Sequence, residues 1–204
     1  MQKMKNYKVL FFMALGALLI PFASFGQDRA AELLRKMSDE MRSLGGYRAA
    51  FSISADEEQL LGSFAVEGER YRIELADVEV YGEAAERYEV NKTRREVTIM
   101  QTDTASVDIL SNPAHAFDLV GRQYKPVLLS ESAGEATLSL QEEANPRVKI
   151  RLTMDVKNNR PTAIIYGMDG LEMKIQIHAI TPLKESLSAF DRAQYETYEL
   201  IDFR

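Results

Sequence analysis

The side chains that could do covalent or metal chemistry are few and scattered. The sequence holds two histidines, His115 and His178, and no cysteine. A metal centre or a nucleophile with its base needs several such groups at helical or hairpin spacing. Neither histidine has a neighbour of that kind, so each reads as a core or surface residue. The lack of cysteine removes thiol nucleophiles and Cys–zinc sites. No Gly-x-Ser-x-Gly elbow and no glycine-rich phosphate loop occurs. The adjacent acids Glu57-Glu58 and Glu142-Glu143 fall in polar turns, and Asp155, Asp169 and Asp191 read as turn or cap residues. A dispersed pair of glycosidase carboxylates stays open, but nothing nominates one. The chain is therefore read as a non-enzyme, with no catalytic residue, no metal and no cofactor.

The densest charge is the stretch ERYEVNKTRREVTIM, residues 86–100, which carries Arg87, Lys92, Arg94 and Arg95. Pairing Val90 with Val97 also pairs Tyr88 with Ile99 on one face and Glu89 with Thr98 on the other. That register leaves Lys92-Thr93-Arg94-Arg95 as a four-residue hairpin loop. Two readings follow, a solvated hairpin tip or a patch that docks on an anionic membrane or partner. A nucleic-acid finger is disfavoured, because the chain carries a formal charge of −6 and offers no exposed aromatic stripe.

The positioning elements follow from periodicity. Lys3, Lys5 and Lys8 precede an uncharged apolar run, Val9 to Ile20, then Pro21 and FASFGQ. This reads as an export signal, residues 1–26, cleaved after Gly26. An uncleaved N-terminal anchor is the alternative, and without a cysteine near residue 26 there is no lipidation there. Removing three lysines takes the formal charge from −6 to about −9. Residues 27–204 then form a single domain, monomeric and periplasmic, with no stable membrane anchor and no second domain. Without disulfides, burial alone must stabilise it.

Ala30, Leu33, Leu34, Met37, Met41 and Leu44 recur at helical spacing, which predicts a helix over Asp28–Leu44, capped by Asp28 and stopped by Gly45-Gly46. After Gly46 the period drops to two. Alternating runs at 47–53, 63–67, 70–75, 78–80, 88–90, 127–129, 136–140, 148–154, 164–166 and 171–177 predict consecutive antiparallel strands. Turns fall at Glu67-Gly68-Glu69, at KNNRP (157–161) and at Asp169-Gly170. The segment Asp108–Val120 is apolar without strict alternation and holds Pro113, which suits the first turn of a short helix. YELIDFR at the C-terminus can add a last strand. About ten or eleven short strands must curl into a barrel or fold over as a sandwich.

With this order of elements the chain resembles the LolA-type outer-membrane lipoprotein carriers. YRAAFSISADEEQLLGSFAVEGERYRIEL is similar to the family's opening strands, and EVYGEAAERYEVNKTRREVTIM to its next three. ILSNPAHAFDL is similar to the segment in which a threonine-proline leads into an apolar helix. FDRAQYETYELIDFR resembles the ending of Bacteroidetes-like members. The proteobacterial carriers place an Arg-Pro pair at the first long hairpin, where the arginine takes part in lid closure. This chain has Gly68-Glu69 there, and neither Arg70 nor Arg72 is assigned that role.

The resemblance implies an α+β fold. An incomplete, unclosed antiparallel β-barrel, or strongly curled sheet, would be covered by the N-terminal helix and a short middle helix. It implies an apolar cavity for lipoprotein acyl chains. The helix would supply Leu33, Leu34, Met37 and Met41, with methionine as adaptable lid packing, and the middle segment Phe117. The first strands would supply Phe51, Ile53, Phe64, Val66, Tyr71 and Ile73, and the cation-bearing hairpin Tyr88, Val90, Val97 and Ile99. The later strands would supply Ile150, Leu152, Ile164, Tyr166 and Ile175. Periodicity alone leaves open whether these side chains line a cavity or fill a dry core. The implied partners are acylated lipoproteins, an inner-membrane lipoprotein-releasing complex and an outer-membrane acceptor. A sensor or regulatory half-barrel that binds a membrane-protein partner is the alternative, and a periplasmic hydrolase a third.

Overall fold

Period-two alternation becomes one sheet that pairs almost every strand with its neighbour in sequence. The computed structural model describes residues 22–55, 58–104, 106, 108–118, 124–142, 149–168 and 171–204. Helix α1 (Phe22–Ser43) leads into β1 (Gly46–Ala55), β2 (Glu58–Glu67), β3 (Arg70–Leu75), β4 (Val78–Glu83), β5 (Glu86–Asn91) and β6 (Glu96–Gln101). A second run holds β7 (Tyr124–Ser132), β8 (Glu135–Glu142), β9 (Lys149–Asp155), β10 (Arg160–Met168) and β11 (Leu171–Pro182). A 3-10 turn (Arg192–Tyr195) and β12 (Glu199–Asp202) close the chain.

The strands form a single 12-stranded sheet in the order β12-β6-β5-β4-β3-β2-β1-β11-β10-β9-β8-β7. Two antiparallel meanders, β1–β6 and β7–β11, are joined where β1 pairs with β11. β12 runs parallel to β6, so the sheet is mixed, and it stays open between the edge strands β7 and β12. The open, curled sheet with a covering helix is the expected architecture, with β12 as one strand more than the expected range.

The registers carry apolar residues onto one face. Ile53 pairs with Ile175, Phe64 with Ile73, Ile164 with Leu152, and Leu140 with Ile150. That face and the apolar side of α1 enclose the main core, which gathers residues from α1, β1–β4 and β8–β11 with Ile109, Ala116 and Phe117.

Two local expectations fail. Asp28 lies inside α1, which begins at Phe22, so it caps nothing. Gly26 costs a helix only about 1 kcal/mol, too little to stop it. The middle segment is not a helix but a chain of turns. Amide-to-carbonyl bonds run three residues back, from Ser111 to Asp108, His115 to Asn112, Ala116 to Pro113 and Asp118 to His115. Pro113 lacks the N–H that a continuing helix would use, while Asp108 takes up the Leu110 amide and the Ser111 hydroxyl. The Gly45-Gly46 stop holds, with Gly45 in the left-handed region at φ +67°. The Asp169-Gly170 turn lies outside the described residues, with Met168 and Leu171 paired on either side of it.

The register of β5 and β6 is the expected one, with Val90 opposite Val97 and Tyr88 opposite Ile99. Its faces are distributed differently. Val80 and Val78 belong to the main core, and their partners across β5 are Glu89 and Asn91. Tyr88 and Val90 of β5 and Val97 and Ile99 of β6 therefore point to the outer face. There Tyr81, Val90 and Val97 form a second cluster with Tyr195, Phe190, Tyr88 and Tyr198. The C-terminal segment 183–198 supplies the cover on that side.

Candidate functional site

Leu33, Leu34, Met37 and Met41 of α1 are all buried against the sheet. They share one core with Phe51, Ile53, Phe64, Val66, Tyr71 and Ile73 of the first meander, and with Ile150, Leu152, Ile164 and Ile175 of the second. Phe117 joins them, and Tyr166 packs against the cluster. The structure thus brings together sixteen of the expected side chains in one apolar interior. Tyr88, Val90 and Val97 are not among them, since they belong to the outer cluster, and Ile99 shares their face by register.

The middle segment is tied into this interior by polar contacts that no local pattern announces. Arg87 donates to the carbonyls of Leu110 (2.9 Å) and Ser111 (2.8 Å), and Tyr71 Oη donates to Ser111 O at 3.1 Å. Ser38 on α1, itself buried, donates to Phe117 O at 2.5 Å. The Ile109 amide donates to Tyr166 Oη at 3.3 Å. Burial first, and the Asp108 charge next, push the Tyr166 hydroxyl well above its ordinary pKa. Gly82 makes room for the Tyr71 ring, because a Cβ there would lie 2.0 Å from it.

The rim of α1 is held by ion pairs to three separate elements. Arg29 grips Glu131 of β7 with two bonds of 2.6 and 3.1 Å. Arg160 of β10 grips Glu40 at 3.0 and 3.1 Å. Arg42 meets Asp118 of the middle segment at 2.6 Å. Burial opposes ionisation of Asp118, but the Arg42 hydrogen bond and charge, aided by His115, hold its pKa below the usual range. The Arg29 hydrogen bond does the same for Glu131. Pairs this exposed are worth about 0.2–1 kcal/mol each. Beside them a cleft of about 290 Å³ opens between the end of α1, the middle segment and the β2–β3 turn. Met41, Tyr47, Val66 and Phe117 floor it, and Arg42, Glu69, His115 and Asp118 stand at its rim. His115 Nε2 lies 3.0 Å from Glu69 and Nδ1 3.4 Å from Asp118.

This fold is similar to known structures. The chain resembles the crystal structure of an uncharacterized conserved protein from Thermus thermophilus at 12% identity, over 86% of this chain and 99% of that one, with a TM-score of 0.56. A LolA superfamily protein from Nitrosomonas europaea is similar at 10% identity, over 77% of this chain and 94% of that one, with a TM-score of 0.40. The MucA/MucB complex structure from Pseudomonas aeruginosa is similar at 14% identity, over 82% of this chain and 60% of that one, also with a TM-score of 0.40. At 12% identity the Thermus likeness shows a shared fold and no more. No protein-family model matches the sequence, and no curated protein does.

The cations of the 86–100 stretch are engaged: Arg87 by the middle segment, and Lys92, Arg94 and Arg95 by β4, β6 and the C-terminal segment. Lys92 meets Glu79 at 2.5 Å, and Arg94 meets Glu96 at 3.1 Å. Arg95 donates to Thr197 at 2.6 Å and stacks over Tyr198. Glu79 is the hub of this face. It also takes hydrogen bonds from Tyr81 (2.9 Å) and Tyr195 (3.1 Å) and pairs with Arg72 at 3.2 Å. Burial works against its charge, but Lys92, Tyr81 and Arg72 outweigh burial and bring its pKa down to about 2. Phe190 stacks on Tyr88 with ring centroids 4.2 Å apart. Among the described residues no three His, Asp or Glu side chains converge as metal ligands, and no helix is long and apolar enough to cross a membrane.

Proposed function

We propose that this protein is a periplasmic carrier that shields the acyl chains of lipoproteins between α1 and the concave face of the sheet. The observation that supports this most is the way α1 is held. Its apolar face is buried in the core, while its rim is fixed by exposed ion pairs rather than by a backbone ladder. Burying four large apolar side chains of a helix is worth on the order of 10 kcal/mol before entropy. An acyl chain gains about 0.8 kcal/mol per methylene on leaving water. A dozen or so methylenes therefore match the helix for the same surface. Met37 and Met41 can repack around a chain of irregular shape. Loading needs no covalent chemistry, and direction would come from a releasing complex at the inner membrane and an acceptor at the outer one. The resemblance of 28–204 to the LolA-type carriers agrees with this reading. Residues 1–26 then serve as an export signal removed after Gly26, and residues 27–204 as the working domain.

The test is solubility of cargo. A triacylated lipoprotein in detergent is diluted into buffer with or without the purified chain. The proposal expects a complex with the carrier that stays in the supernatant, with the unacylated lipoprotein left unbound. Equal binding of the unacylated form would instead favour the regulatory reading, in which a half-barrel recognises a protein partner. Pelleting of the lipoprotein regardless of the chain would refute the carrier.

A further inference from the structure

One polar group of the apolar interior has no partner, and it stands where that interior reaches the surface. Tyr47, the second residue of β1, is 6% exposed. Its ring packs edge-on against Phe64, with centroids 6.0 Å apart. Its hydroxyl meets no hydrogen-bond partner among the described residues. A buried hydroxyl left unpaired is costly, and folds seldom keep one without a use. Burial first, and the Asp118 charge next, push its pKa above the ordinary tyrosine range, so it stays a neutral donor. Tyr47 lines the cleft of about 290 Å³ at the end of α1. Met41, Val66 and Phe117 line it too, and all four belong to the main core, so the cleft is a mouth of that core. Gly45 and Gly68 leave the mouth open, with nothing within 4 Å of where a Cβ would stand. The charges around it are lopsided. Glu69 and Asp118 face a single guanidinium, that of Arg42, which Asp118 already holds at 2.6 Å. Asp39 adds a further carboxylate 3.6 Å from Arg42, and His115 bridges Glu69 and Asp118.

We propose that this cleft receives the linked end of an acyl chain, with Tyr47 Oη donating to the carbonyl of a neutral ester or amide, and that its carboxylates disfavour the anion of a free fatty acid. The inference rests on the carrier reading for the chain itself and adds the chemistry of the chain's polar end. An ester or amide carbonyl accepts the hydrogen bond on offer and brings no charge, while the methylenes beside it meet Met41, Val66 and Phe117. A free carboxylate would accept the same bond only by lying close to Asp118 and Glu69, where like charges repel. An ammonium would be drawn to those carboxylates but has no lone pair to accept from Tyr47. A site that offers a buried donor rejects ligands that leave it unpaired, and here the surrounding charge narrows the choice to neutral acceptors.

The experiment is calorimetric titration of the full chain with two probes of equal chain length, 1-decanoylglycerol and sodium decanoate, both below their micelle-forming concentrations. It is run at about pH 8, where imidazole is ordinarily neutral and decanoate ionised. The glycerol ester is expected to bind about ten-fold more tightly than decanoate. Tyr47→Phe should weaken the ester about five-fold, leave decanoate unchanged, and melt no lower than wild type, because the hydroxyl has no partner to lose. Asp118→Asn should strengthen decanoate about ten-fold by releasing Arg42, with the ester unchanged. Glu69→Gln should act in the same direction and serves if Asp118→Asn does not fold. Equal affinity for the two probes, or ester binding that Tyr47→Phe does not weaken, would overturn the proposal. A Tyr47→Phe chain that melts lower yet binds the ester as wild type does would mark the hydroxyl as structural, which overturns it too. Either result with a lipoprotein still kept in the supernatant sinks this inference alone, whereas a lipoprotein that pellets regardless of the chain sinks the carrier reading.

Discussion

Gly82 governs how firmly the middle segment is held. Its missing side chain lets the Tyr71 ring lie across β4 with its hydroxyl on the Ser111 carbonyl, which Arg87 shares. Gly82→Ala should push the ring off that carbonyl and cost about 1–3 kcal/mol, the usual range for overpacking. Urea titration would read this as a lower midpoint with an unchanged slope. Glu79 predicts behaviour in acid. Its folded pKa, about 2, lies below the ordinary carboxylate value of 4.5. Its contribution is therefore complete above pH 4.5 and is lost as pH falls from there toward 2. The near-UV circular dichroism of the Tyr81–Phe190–Tyr195 group should weaken across that window, and Glu79→Gln should remove this dependence. Neither role is legible in the sequence. A glycine inside an alternating run signals a close approach but not what approaches, and Glu79 gathers partners from neighbouring strands and from Tyr195, 116 residues along the chain.

The hairpins are the most legible elements, because alternation and turn residues fix their registers locally. Val90 opposite Val97 follows from that alone. Alternation does not say which face of the sheet is the interior, however. In β5 the inward positions are Arg87, Glu89 and Asn91, and the apolar ones face the C-terminal segment. A covering strap far along the chain turns an outer face into a core, so by pattern Tyr88, Val90 and Val97 look like parts of one interior with α1. The middle segment departs from its expected helix for a related reason. Its conformation is set by Arg87, Tyr71 and Ser38, none of which lies near it in sequence. The turns themselves carry a local cost. Ala76 and Ala84 have φ of 51° and 43°, in the left-handed region that favours glycine. Ala84→Gly and Ala76→Gly should each stabilise the protein by about 0.5–1 kcal/mol in thermal or urea unfolding. Absence of any gain would show that neighbouring contacts already absorb that cost.

The apolar interior joins both meanders through α1, so one helix residue reports on the assembly of all three. Met37 is fully buried at their junction. Met37→Ala should cost about 2–5 kcal/mol, more if the space left does not collapse. Under the carrier reading the same change should be offset in part by added fatty acid, which would occupy the space, and a thermal shift on addition of oleate would measure it. Without such a shift the space is merely a defect.

The junction of β1 with β11 also sets an order of events in time. Every other antiparallel pair forms between strands adjacent in the chain, but Tyr47 must find Pro182 and Ile53 must find Ile175. During synthesis from the N-terminus, β1 can pair with β2 at once and then waits as an open edge until Leu171–Pro182 has been made. An open edge is the place where chains aggregate, and contacts so distant in sequence make folding slow. Substitutions at this seam should therefore retard folding more than they speed unfolding, and a nascent chain stopped before residue 171 should hold its first meander with one unsatisfied side.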